Sequence, residues 1–171
     1  MGSRPGHAGP LSTETLARVL EQHALFLRGE GGSRAQLGGR DLSGVALPGA
    51  WLQNANLSLA DLRRANLAKA DLRGANLENA ALDEANLEAA DLSAARLSDA
   101  TLRRANLACA RLREANMGWA DLSDADLTSA DLSDANVGEA ILVGADRTGA
   151  NFTGTNLEDA HTRPVAGRDQ C

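Results

Sequence analysis

A five-residue rhythm of apolar and polar positions runs through most of the chain, as in ANLSL, ADLRR, ANLAK, ADLRG and ANLEN between Ala55 and Asn79. Leu or a substitute stands at every fifth residue from Leu37 to Leu157, which is 25 positions, and Leu fills 21 of them, with Met117, Val137, Arg147 and Phe152 as the exceptions. Two residues before each of these stands Ala in 22 of the 25 cases, with Arg40, Val45 and Thr155 departing. On an α-helix five residues advance by about 500°, so successive leucines would sit about 140° apart and make no stripe. On a straight strand an odd period alternates faces. A chain that bends at every repeat keeps each Leu and Ala inside, and the other three positions, rich in Asp, Asn, Arg, Glu and Ser, form a solvated wall. Self-similarity on this scale marks a solenoid.

The rhythm is absent before residue 35. Residues 1–10 are rich in Gly and Pro and are expected to be disordered, with His7 inert. Over 11–34 the pattern changes period. Ser12 is a suitable N-cap, Leu16, Leu20, His23, Ala24 and Leu27 share one helical face, and Gly29 is a natural stop. One helix is expected, packing its apolar face, flanked by Leu25 or Phe26, over the open edge of the first repeat. His23 is expected to pack, since no second metal ligand accompanies it. The stretch GEGGSR at 29–34 reads as a flexible link. It lacks the Lys-Ser/Thr of a phosphate loop, so nucleotide binding is not expected.

The A(D/N)LXX phrase resembles the pentapeptide-repeat family over about three quarters of the chain. The resemblance implies that four pentads make one nearly square coil and that coils stack as an all-β solenoid, a right-handed quadrilateral β-helix. At four pentads per coil, 25 pentads make about six coils, a rod about 30 Å long at a strand spacing of ~4.8 Å. The expected organisation is a disordered N-terminus (1–10), a capping α-helix and link (11–34), the β-helix (35–160) and a polar tail (161–171). In the core, Leu57, Leu77, Leu97, Met117, Val137 and Leu157 should form one vertical ladder. Outward residues 20 apart become neighbours, so Arg63-Arg64, Asp83-Glu84 and Arg103-Arg104 alternate in sign. Asn56, Asn76, Asn116 and Asn136 form one amide column, and Asn66, Asn86 and Asn106 form another, able to bond from coil to coil. Such stacking needs capped ends.

A narrow Leu/Ala core has no room for rings, which accounts for an aromatic content of 2% and the absence of Tyr. No apolar run is long enough to cross a membrane, and a cytoplasmic protein is expected. The two cysteines make no disulfide framework. The Asn56 and Asn151 sequons arise by chance in such a repeat.

The net charge of −6 is unevenly placed. Residues 35–120 carry ten acids and ten Lys or Arg, whereas 121–160 carry nine acids against Arg147 alone. The acidic stretch, with Asp121, Asp124, Asp131, Asp134 and Glu139, is a candidate partner-binding surface. Outward Trp119 is a candidate contact residue unless it lies flat on Leu59. Arg147, at a Leu position, should distort the coil or snorkel. Phe152 is placed to plug the terminal coil, and Cys171 to crosslink a dimer stacked end to end there. Cys109 is an outward thiol with nothing activating beside it.

No nucleophile–base pair or metal-ligand cluster accompanies the acids, so no cofactor and no enzymatic activity are expected. Without a basic patch or stacking surface, direct nucleic-acid binding is not expected either. The chain reads as a non-catalytic scaffold that binds another protein. The resemblance implies an alternative: some pentapeptide-repeat proteins imitate duplex DNA and bind DNA gyrase, protecting it from quinolones. Against that alternative, the central residue here is Leu where those relatives often carry Phe, and neither a looped insertion nor a dimerising C-terminal helix is present.

Overall fold

In the computed structural model, which describes residues 8–162, every pentad from residue 35 to residue 154 repeats one conformation. Ala and Leu point inward, the Asp or Asn between them bridges to adjacent coils, and the last two residues make a turn. The Ala N–H closes each turn on the Leu carbonyl three residues back, as from Ala65 to Leu62 at 3.0 Å. The second turn residue is left-handed at every fifth position from Gly39 to Gly154, even where it is Leu59, Arg64, Cys109 or Trp119. Such a φ costs a non-glycine residue about 1–3 kcal/mol and persists only where its surroundings impose it. Here the same residue donates its N–H to the next coil, as Trp119 does to Gly138 O at 3.0 Å. The first three and last three of these positions are glycines; Gly39, Gly44 and Gly49 donate to the next coil like the others, at 2.8 Å, whereas Gly144, Gly149 and Gly154 make no such bond among the described residues.

Each coil takes 20 residues. Parallel bridges join residue i to i + 20 in four columns, one of them running Asp41–Asp61–Ala81–Thr101–Asp121–Ile141–His161. Hydrogen bonds alternate in direction: Leu97 N–H rises to Asn116 O at 2.7 Å, and Asn116 N–H returns to Ala95 O at 2.9 Å. Leu57, Leu77, Leu97, Met117 and Val137 stack fully buried. Leu157 corrects the expected ladder. It is only partly buried and opens a 3-10 helix, Leu157–Asp159. Val137 N–H bonds the Asn156 side-chain Oδ1 at 2.8 Å, in the place where lower coils offer a backbone carbonyl.

The lower end is closed by helix α1, Thr13–Arg28. Ser12 Oγ accepts the Thr15 N–H at 3.2 Å. Gly29 ends the helix at φ 72, with Gly29 N–H on Phe26 O and Glu30 N–H on Leu25 O, the Schellman pairing. Leu16 is buried, and Leu11, Val19 and Leu20 pack against the core. Two expectations change here. Residues Ala8–Pro10 form a short strand, β1, parallel to β2 (Arg40–Asp41), so order begins before residue 10 and covers part of the edge. The Gly-rich link is docked on the helix, with Ser33 N–H on Gln22 O at 3.1 Å.

His23 packs as expected, completely buried, and it also bonds the first coil: Nδ1 accepts the Ala35 N–H at 3.1 Å. Nε2 lies outside hydrogen-bonding geometry with any partner among the described residues. Burial lowers the His23 pKa, the Gln53 backbone partly opposes this, and the Arg34 charge adds to the lowering. The native state therefore binds fewer protons than the unfolded chain. Its advantage is full above the ordinary histidine value of about 6.5 and falls away as pH drops from there through the native pKa. The protection of the Ala35 amide, the ratio of the unfolded chain's exchange rate to its own at the same pH, should therefore fall on acidification through this range, and His23→Gln should flatten that pH dependence.

Candidate functional site

The wall divides into spent and free positions. At each bridging position the Asp or Asn Oδ1 accepts the N–H two residues on, as in Asn76 with Glu78 at 3.0 Å and Asp126 with Thr128 at 2.9 Å. Asx-turn bonds of this kind hold a turn in shape. The amides also bond between coils, Asn86 to Asn66 at 3.4 Å, Asn106 to Asn86 at 3.3 Å and Asn136 to Asn116 at 2.9 Å. The Asn56 amide instead donates to Gln36, at 3.1 Å. Arg64 pairs with Glu84 one coil above at 3.0 Å, realising the expected alternation of sign. What remains to vary is the pair of turn residues in each pentad.

This division splits the acidic candidates. Asp121 and Asp131 are bridging residues. Burial raises the Asp121 carboxyl pKa, but bonds from Ser123 and from Arg103, the latter at 2.6 Å, outweigh it and leave it lowered. Ser133, through hydroxyl and N–H, holds Asp131 low, with help from the Asn151 amide at 3.1 Å. Asp124, Asp134 and Glu139 are turn residues and exposed. Asp134 pairs with Arg113 at 3.5 Å and Glu139 approaches His161 at 3.1 Å, while Asp124 has no side-chain partner among the described residues.

The acids do not converge on one patch. Asp121 and Asp124 lie on one wall, Asp126 and Asp146 on the next, Asp131 and Asp134 on the third, and Glu139, Glu158 and Asp159 on the fourth. They form a collar around the upper coils. Trp119 shares the fourth wall and is 65% exposed. It does not lie on Leu59: the two stand in the same column with Asn79 and Asp99 between them. Arg147 keeps the backbone regular, with Leu127 N–H on Asp146 O at 2.8 Å, and its side chain is exposed. Phe152 is half-buried against the core. Cys109 is exposed, and Cys171 and most of the polar tail lie outside the described residues. Among the described residues no cluster of His, Cys, Asp and Glu could hold a metal ion, and no helix is long and apolar enough to cross a membrane.

The pentapeptide-repeat family model matches residues 41–79, 80–118 and 120–159, in eight copies. The chain belongs to the pentapeptide-repeat family. No curated protein is significantly similar in sequence. Among solved structures, QnrB1, a plasmid-mediated fluoroquinolone resistance protein, superposes with a TM-score of 0.63 at 18% identity, covering 72% of this chain and 69% of that one. HetL of the cyanobacterium Nostoc, involved in heterocyst differentiation regulation, is 33% identical over 75% of this chain and 78% of its own, with a TM-score of 0.37. A pentapeptide-repeat protein of the Arabidopsis thaliana thylakoid lumen is 28% identical over 62% of this chain and 67% of that one, with a TM-score of 0.41. The QnrB1 superposition concerns the fold, the right-handed β-helix of the family.

Within this pentapeptide-repeat rod, sequence reasoning missed the structural work of the Asp/Asn position. A signal was present: the residue is Asp or Asn in most pentads, and both types hold a turn by accepting from the backbone. Reading the acids as free charges obscured it.

Proposed function

We propose that this pentapeptide-repeat protein is a non-catalytic scaffold that binds another protein through its walls or ends. The observation that carries the reading is the allocation of positions: inward Ala and Leu fill the core and bridging Asp and Asn hold the turns, so chemistry is displayed mainly by the turn residues, joined by exposed bridging residues such as Arg96 and Arg111, in straight columns on a stiff wall. Fold alone does not name the partner. The reading includes a cytoplasmic location, no direct nucleic-acid contact, and a second copy stacked on the C-terminal coil near Phe152. Crosslinking the tagged protein in its native host, followed by mass spectrometry, tests it. A recurrent protein partner is expected, and recovery of the bait alone would overturn it. Light scattering should give a dimer mass.

The acidic collar favours a second reading, a gyrase modulator that imitates DNA, a role in keeping with the resistance named for QnrB1. On that reading, low-micromolar protein inhibits supercoiling of relaxed plasmid by purified gyrase or protects it from a quinolone. Reversal at Asp124 and Glu139 should abolish the effect. These positions are preferable to Asp131, whose replacement would also loosen its own turn. An unchanged assay at high concentration removes this reading for the gyrase tested.

A further inference from the structure

The fourth wall differs from the other three. Of the three large apolar side chains exposed on the repeats among the described residues, Trp51 (55%) stands at a bridging position of another wall, whereas Leu59 (58%) and Trp119 (65%) both stand in the fourth wall's left-handed turn column. Neither serves the fold: each occupies a conformation that favours glycine, and neither covers core. The residues beside the indole in the first-turn column are Gly118 and Gly138, so no side chain there shoulders the ring. An added Cβ at Gly118 would meet nothing closer than 3.5 Å, so packing does not demand that glycine.

The charge on this wall is predominantly negative. Directly below Trp119 stands Asp99, whose carboxylate has no partner among the described residues. Directly above stand Glu139 and then Asp159, as the chain of bonds Asp99 N–H to Gly118 O, Trp119 N–H to Gly138 O and Glu139 N–H to Asp159 O records. Arg96 is the only Lys or Arg among the wall's residues 36–39, 56–59, 76–79, 96–99, 116–119 and 136–139, and it is held by Glu78 at 2.6 Å. An aromatic face between carboxylates is the recognition chemistry of a guanidinium or ammonium group, which stacks on the ring while the acids take its protons.

We infer that this wall is the docking surface of the scaffold for an extended, Arg- or Lys-bearing segment of a partner protein, lying along the rod with a cation over Trp119. The inference rests on the scaffold reading and names the surface and the partner's chemistry. Three coil steps separate Leu59 from Trp119, about 14 Å, which an extended strand covers in roughly four residues. One short segment thus reaches an apolar contact at Leu59, the carboxylate of Asp99 and the indole.

The probe is a synthetic decapeptide of alternating Arg and Gly, titrated into the full chain carrying Trp51→Phe, so that Trp119 alone reports. A saturable change in emission is expected, weakened at least tenfold by Asp99→Asn with Glu139→Gln. Direct binding by calorimetry should fall similarly in Trp119→Ala, a substitution at an exposed residue that keeps the fold. The charge-matched control Asp126→Asn with Asp146→Asn, on another wall, should change affinity less than twofold. Equal weakening by the control, no dependence on Trp119, or no binding at all would overturn the inference. Any of these alongside a recurrent crosslinked partner leaves the scaffold reading standing; a bait recovered alone fails that reading instead.

Discussion

Leu127→Arg is expected to unfold the upper coils, although the chain already carries an arginine at the same ladder position one coil higher. Leu107 and Leu127 are fully buried and Arg147 is exposed. The difference is what lies above. Among the described residues no coil covers Arg147, so its guanidinium reaches water. At 127 the same group would be enclosed by Leu107 below and the Arg147 coil above. Burying an unpaired ion costs several kcal/mol after relaxation, and forcing extra volume into a packed core adds about 1–3 kcal/mol. Those sums rival the 5–15 kcal/mol or so that holds a typical domain together. Because coils contact only their neighbours, the damage should be local. Amide exchange should rise across residues 107–161, while Leu57 and Leu62 keep their protection. Arg147→Leu should shift the urea midpoint little. A Leu127→Arg protein as stable as the parent would refute this account of the core.

Gly32→Ala is expected to detach the cap. Gly32 has φ +73, and a Cβ there would collide with Gln22 O, would stand 2.8 Å from Leu25 Cβ and would lie 2.9 Å from Phe26 N. Much of this obstacle is helix backbone, which cannot swing aside as a side-chain tip can. Left-handed backbone costs alanine about 1–3 kcal/mol, and relieving the collision means moving α1 away. Movement sacrifices the Ser33–Gln22 bond and the Ala35–His23 bond, both 3.1 Å, and uncovers the lower edge around Leu37. An uncovered edge invites pairing with another chain. The variant should exchange the Ala35 amide much faster and scatter light in proportion to its concentration. Gly31→Ala separates the two causes, since Gly31 has φ +92 but nothing within 4 Å of an added Cβ. Comparable damage at both positions would mean that backbone strain alone, not the collision, loosens the cap.

The parts of the fold legible in the sequence are those each pentad states for itself. Leu and Ala recur at fixed places, so their burial followed from the period. Ser12 and Gly29 bounded the helix because capping is local chemistry. Less legible was everything that depends on a neighbour 20 residues away. Asp121 and Asp124 look alike in sequence, yet one carboxylate is bound by Ser123 and Arg103 while the other faces water. Trp119 and Leu59 looked adjacent until the coil set them three steps apart. His23 was legible as a packing residue, but its bond to Ala35 was not, because the acceptor and donor meet only when the link folds back.

The sequence by itself therefore determined that the chain must bend every five residues around a Leu/Ala core, because no helix or straight strand can bury that period. It also determined that acids gather toward the C-terminal coils. A period of five does not state how many pentads close one turn, and that number decides which outward residues meet. Only the tertiary structure made the acids a collar rather than a patch. Only it drew the bridging Asp and Asn into the turns and held bulky residues such as Trp119 left-handed through hydrogen bonds to the next coil. The same stacking left Trp119 between Asp99 and Glu139. Each of these outcomes is a competition among groups brought together by the coil, and local sequence carries no record of who the competitors are.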